Sequence, residues 1–94
     1  MEKSFDYKGK GGKLIRISME EERDRIRSIK ITGDFFLIPE ESLGKLETLL
    51  VDAPLRKPDL QLLIDRFFSA TRAQGLGVSS EDLVNAILSA KGSL

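Results

Sequence analysis

The 94-residue chain contains no cysteine, no histidine and no tryptophan. Those absences remove the thiolate nucleophile, the disulfide framework, the zinc cluster and the imidazole base, and with them most catalytic constellations. Net charge is missing too. Fifteen Lys and Arg balance fifteen Asp and Glu, so no whole-molecule field draws the chain to nucleic acid or to an anionic membrane, and any attraction must be local. No run approaches the roughly eighteen apolar residues of a membrane span. The opening MEKSFDYKGK carries no apolar signal region, so the cytoplasm is the expected address. A chain of this length is expected to bury about 64% of its unfolded surface. That leaves little room for a deep pocket of several hundred cubic ångströms. Residues 1–94 therefore read as one small domain, a module rather than a complete enzyme.

What is present begins with alternation. Residues 13–19, KLIRISM, set Ile15, Ile17 and Met19 on one face against Leu14, Arg16 and Ser18 on the other, the period-two pattern of a half-buried strand. The all-charged residues 20–25, EEERDR, mark a reversal, and IRSIKIT resumes the alternation through Ile29 and Ile31. The two runs are expected to pair as an antiparallel hairpin, with Ile26, out of phase, at a bulge. SFDY at residues 4–7 offers a third strand through Phe5 and Tyr7.

Beyond residue 38 the period changes. Pro39 with Glu40 and Glu41 matches a first helical turn, where proline loses no hydrogen bond and carboxylates favour the dipole. Leu43, Leu46, Leu49 and Leu50 follow as its apolar stripe. Pro58 and Asp59 open a second helix in which Leu60, Leu63, Ile64, Phe67 and Phe68 recur at helical spacing, with Gly75 and Gly77 expected to end it. A third helix starts near Ser79 or Ser80 and turns Leu83, Ala86, Ile87 and Ala90 inward until Gly92. The pattern predicts an α+β fold: a small antiparallel sheet of two to three strands, covered on one face by two to three helices.

Two stretches invite a functional reading. KGKGGK at residues 8–13 is rich in lysine and glycine, yet a phosphate loop needs Gly-Lys-Ser/Thr leading into a helix, and here Gly12-Lys13 leads into a strand. Gly11 and Gly12 permit a bend, leaving Lys8, Lys10 and Lys13 either solvated or set against an anionic partner surface. The second stretch is TGDFFLIP at residues 32–39. Gly33 suggests positive φ, and Asp34 can close a turn with its carboxylate. Phe35 and Phe36 are adjacent, so in extended backbone one fills the core while the other faces a partner. Glu20, Glu21 and Glu22 do not converge on one point and read as a solvated turn. The residues alone describe an interaction module without catalytic machinery.

The order of these motifs carries more than any one of them. GGKLIRI, a charged turn, IRSIKITGDFFLIPEESLGKLETLL and APLRKPDLQLLIDRFF together resemble the C-terminal accessory domain of lipoate–protein ligases over roughly residues 8–90. The most specific part runs from Ile29 to Leu50. In some ligases of this kind the domain is a separate small subunit, and a free-standing chain beginning at Met1 resembles that arrangement.

The resemblance implies a reaction performed elsewhere. A catalytic subunit activates lipoate with ATP and magnesium to lipoyl-adenylate and transfers the lipoyl group to a lysine on lipoyl domains of 2-oxoacid dehydrogenases or on the glycine cleavage H protein. The accessory part is implied to be needed for adenylation and largely dispensable for transfer. On this reading the chain forms a heterodimer with the catalytic subunit, binds no cofactor alone, meets no membrane or nucleic acid, and contributes no catalytic residue. ATP, magnesium and lipoate are expected on the partner. Interface candidates are Gly11, Gly12, Lys13, Gly33, Asp34, Phe35, Phe36 and Leu37. The alternative is a stand-alone adaptor that binds phosphate-rich ligands or nucleic acid through Lys8–Arg16.

Overall fold

A computed structural model describes residues 3–10 and 12–92. Three strands, β1 (Lys3–Lys8), β2 (Leu14–Glu22) and β3 (Arg25–Gly33), form an antiparallel sheet in chain order. The alternation read from the sequence sets its faces. Ile15, Ile17, Met19 and Ile31 are buried, and Phe5 and Tyr7 pack against the same core. The opposite face is polar. There the Arg16 guanidinium donates to the Asp6 carboxylate at 2.7 and 3.1 Å, and that hydrogen bond holds Asp6 below the usual carboxylate range.

The reversal between β2 and β3 is tighter than expected. Only Arg23 and Asp24 turn, both with left-handed backbone at φ 56° and 61°, as a two-residue hairpin loop of the right twist requires. Strand pairing continues through the acidic run, with Glu22 against Arg25. The expected bulge is present: Glu20 faces Ser28 but Glu21 faces Ile26. Arg27 is thus the extra residue, and Ile26 is turned inward at 1% exposure.

Helices α1 (Ser42–Leu50) and α3 (Ser80–Gly92) lie on the sheet, α1 against β3 and α3 against β1 and β2. Helix α2 (Lys57–Thr71) packs on both of them. The sheet is therefore covered on one face by two helices, with the third laid over those two. Leu46 and Leu50 of α1, Leu60 and Ile64 of α2, and Leu83, Val84 and Ile87 of α3 are all fully buried. At β3, the backbone amide of Ile31 donates to the Glu47 carboxylate of α1 at 2.7 Å.

Three expectations need correction. Helix α1 begins at Ser42, not at Pro39: Pro39, Glu40 and Glu41 form a turn in which the Ser42 amide donates to the Pro39 carbonyl at 3.0 Å. Leu49 does not join the buried stripe and remains 43% exposed, because Leu46 and Leu50 already fill the inward face one turn apart. Helix α2 stops at Thr71, before either glycine, with Arg72 left-handed at its C-cap. The Thr71 hydroxyl donates to the Phe67 carbonyl at 2.7 Å and accepts from the Ala73 amide at 3.2 Å. The glycines lie beyond, where β5 (Gln74–Leu76) pairs antiparallel with β4 (Phe36–Ile38) as a second, two-stranded ribbon. Among the described residues, no helix is long and apolar enough to cross a membrane.

Candidate partner interface

The glycine-rich stretch connects β1 to β2. Its loop is closed by the Gly9 amide donating to the Lys13 carbonyl and by the Gly12 amide donating to the Gly9 carbonyl, both at 2.9 Å. Gly12 takes φ +78°, a conformation glycine adopts without steric cost. Gly11 lies outside the described residues.

This loop rests on the N-terminus of α3. There Ser79 and Asp82 cap each other reciprocally, each side chain accepting from the other's amide at 3.1 Å, the capping-box arrangement. One Asp82 oxygen serves that cap, and the other accepts from the Lys10 amide at 3.2 Å. A Cβ on Gly9 would stand 3.1 Å from the same carboxyl group, so the small residue permits the approach. Loss of a cap costs about 1 kcal/mol, and the loop tie is lost with it. Asp82→Ala is therefore expected to destabilise the chain by about 1.5 kcal/mol, a melting decrease of roughly 6–12 °C. Asp82→Asn keeps one acceptor oxygen but turns its NH2 toward the other backbone N–H, so it should recover only part of the loss in the same thermal melt.

At the far end of the hairpin, Gly33 leaves β3 with φ +152° and lies directly against the Leu14 carbonyl. The next amide, that of Asp34, donates to this carbonyl at 2.9 Å. The chain thereby turns from the large sheet into β4. Asp34 acts here through its backbone: its carboxylate has no hydrogen-bond or ion-pair partner among the described residues. A Cβ on Gly77, at φ +83°, would lie 3.5 Å from both the Asp34 carbonyl oxygen and Lys13 Cγ. Lys13 thus stretches along the ribbon's border.

The ribbon sorts its side chains as adjacent extended residues must. Phe35 and Leu37 go inward at 7% and 4% exposure, whereas Phe36 stands 70% exposed. Phe36 faces Leu76 directly across the ribbon, and Ile38 shares that side two residues along. Leu76 and Ile38 are 49% and 47% exposed. Their three side chains form an apolar outward face bordered by Lys13 and Asp34.

Lys13, Gly33, Asp34, Phe35, Phe36 and Leu37 therefore meet at the ribbon although the sequence holds them in two separate stretches, whereas Gly12 stays in its own loop. Phe35 and Leu37 support the surface from beneath. The sequence reading did not include Leu76 and Ile38; Ile38 was legible from the parity with Phe36, whereas nothing local marks Leu76. Lys10 turns away, its ammonium 3.8 Å from Glu81. Among the described residues no group of three or more acidic, His or Cys side chains is placed to hold a metal.

No protein-family model matches the chain. It is 36% identical over 87 residues to lipoate–protein ligase A subunit 2 of Thermoplasma acidophilum, an alignment covering 89% of this chain and 85% of that protein. It also superposes on a chain of the solved structure of an archaeal bipartite lipoate–protein ligase and its E2 lipoyl domain, from the same organism. The TM-score is 0.79 and the identity 32%, over 93% of this chain and 94% of that one. Fold and sequence agree over nearly the full length, and the chain belongs to the lipoate–protein ligase A subunit 2 family, one part of a bipartite ligase.

Proposed function

We propose that this chain is the non-catalytic accessory subunit of its ligase, docking on the catalytic subunit through the outward face of the β4–β5 ribbon. The observation that carries this reading is Phe36, a large ring left 70% exposed beside Leu76 and Ile38. Aromatic anchors of that kind dominate interface energetics. Docking orders the catalytic subunit for ATP-dependent activation of lipoate to lipoyl-adenylate. ATP, magnesium and lipoate sit on that subunit, in the cytoplasm, and the lipoyl group then passes to a lysine of a lipoyl domain. The chain's lack of histidine and cysteine fits a helper that leaves the chemistry to its partner.

Reconstitution with the catalytic subunit tests the proposal when pyrophosphate release and acceptor lipoylation are followed separately. Pyrophosphate release should require both chains, whereas transfer from supplied lipoyl-adenylate should proceed without this one. Adenylation at an equal rate by the catalytic subunit alone would overturn the assignment.

The lysines yield a finer expectation. Adenylation handles ATP, magnesium and pyrophosphate, so it depends more than transfer on nearby positive charge and on closure of the site. Lys13 borders the ribbon and is the principal candidate; Lys10 is partly engaged by Glu81. Exposed charges contribute at most about 1 kcal/mol each. Reversing Lys8, Lys10 and Lys13 to Glu together should slow pyrophosphate release about tenfold and leave transfer from lipoyl-adenylate within twofold. Wild-type adenylation by a bound triple variant would return these lysines to solvent.

A further inference from the structure

A second surface lies on other elements. Between α1 and α2 runs an open groove of about 380 Å³, floored by Leu49, Leu63, Phe67 and Ala70 and flanked by Lys45 and Arg66. Leu63, Phe67 and Ala70 follow one another along a single face of α2, at the spacing of successive helical turns. Lys45 comes from α1 and Arg66 from α2, so one cation stands on each helix that forms the groove. Neither side chain has an ion-pair partner among the described residues, where the recorded pairs engage Lys10, Arg16, Arg27 and Lys91.

We propose that this groove receives an acidic amphipathic helix of the catalytic subunit, as a second contact beyond the ribbon face. The inference rests on the accessory-subunit reading above. Two arguments select the occupant, and two more call for a second contact. A channel between two helices, apolar along its floor and open along its length, fits the apolar stripe of a third helix. The two unpaired cations at the rim complement carboxylates on the polar flanks of that helix. The area also requires a second contact. A specific interface covers about 800 Å² of each partner, whereas three part-exposed side chains on the ribbon present on the order of 300 Å². Two separate contacts also fix orientation, which one small patch leaves free to pivot, and ordering a partner for adenylation demands a fixed orientation.

The test uses the intact chain, its catalytic subunit and a peptide probe. Lys45→Glu with Arg66→Glu should lower affinity for the catalytic subunit at least tenfold in calorimetric titration, and so should Ala70→Trp, which fills the groove without altering charge. A stapled helix with leucines at i, i+3, i+4 and i+7 and flanking glutamates should shift the backbone amide resonances of Lys45, Leu49, Leu63, Arg66, Phe67 and Ala70. Its lysine-flanked twin should leave them in place. Affinity within twofold of wild type for both groove variants would overturn the proposal, as would equal shifts from the two peptides or saturation of the same resonances by octanoate. The two readings fail separately. If Phe36→Asp abolishes binding while the groove variants bind normally, the ribbon reading stands and the groove is empty of this helix. If wild-type chain does not bind the catalytic subunit, the accessory reading falls, and the paired peptides still decide the groove's preference.

Discussion

Replacing Phe36 by Asp is expected to weaken association with the catalytic subunit by about 30-fold or more while leaving the isolated chain folded. A central aromatic anchor commonly contributes ~2 kcal/mol or more, and each 1.4 kcal/mol is about tenfold in affinity. The carboxylate adds to the loss, because docking would strip its water without supplying a partner. The fold itself is spared. The ring is 70% exposed, and surface substitutions away from special features usually fall within about 0.5 kcal/mol. Its neighbour provides the control: Phe35 is buried at 7% exposure, so Phe35→Asp should unfold the chain instead. Calorimetric titration beside a thermal melt separates the two effects. A folded Phe36→Asp variant with wild-type affinity would move the interface away from the ribbon.

Among the glycines, the largest stability effect belongs to Gly33. A Cβ there would strike the Leu14 carbonyl oxygen, and this oxygen already accepts the Asp34 amide. Both colliding groups are backbone, so no flexible side chain can yield. Strand β2 must shift from β3, or the turn into β4 must open. Overpacking costs about 1–3 kcal/mol, and a side chain at φ +152° adds about 1 kcal/mol of backbone strain. Gly33→Ala should therefore lose about 3 kcal/mol, a large part of the 5–15 kcal/mol typical of such domains, and melt lower by more than roughly 10 °C. Gly12→Ala isolates the strain from the collision. Gly12 also has positive φ, but nothing lies within 4 Å of its added Cβ, so about 1 kcal/mol is expected. Equal melting decreases for the two variants would refute the steric account.

The contrast between these glycines shows which parts of the structure were legible beforehand. Positive φ at Gly33 and the opposite facing of Phe35 and Phe36 are local consequences of residue type and parity, and the sequence displays them. So do the alternation of Ile15, Ile17 and Met19 and the phase slip at Ile26, which the bulge absorbs. Strand β5 is different. Gln74-Gly75-Leu76 has neither length nor alternation; the ribbon is held by pairing with β4, and Gly75 is pressed so close to Val78 that a Cβ would stand 2.6 Å from its carbonyl oxygen. Such contacts have no signature in a three-residue window. The position of Lys13 beside Gly77 was hidden for the same reason, since the two are brought together by the fold alone. Lys10 illustrates the complementary case: a lysine in a glycine-rich loop invites a ligand, yet its amide and ammonium meet Asp82 and Glu81 of the same chain.

The divided carboxylate of Asp82 also sets a schedule for synthesis. Strands β1, β2 and β3 follow one another and can pair as soon as residue 33 clears the ribosome, because their hairpins close over short loops. The amide of Lys10 has only water to bond then; its protein acceptor lies 72 residues further along the chain. The N-terminal half thus leaves the exit tunnel with its glycine loop unfastened. Only when α3 forms does one side chain close the helix terminus and the first hairpin together, so that a chain truncated before Ser79 would lack both that loop tie and the α3 cover over β1 and β2.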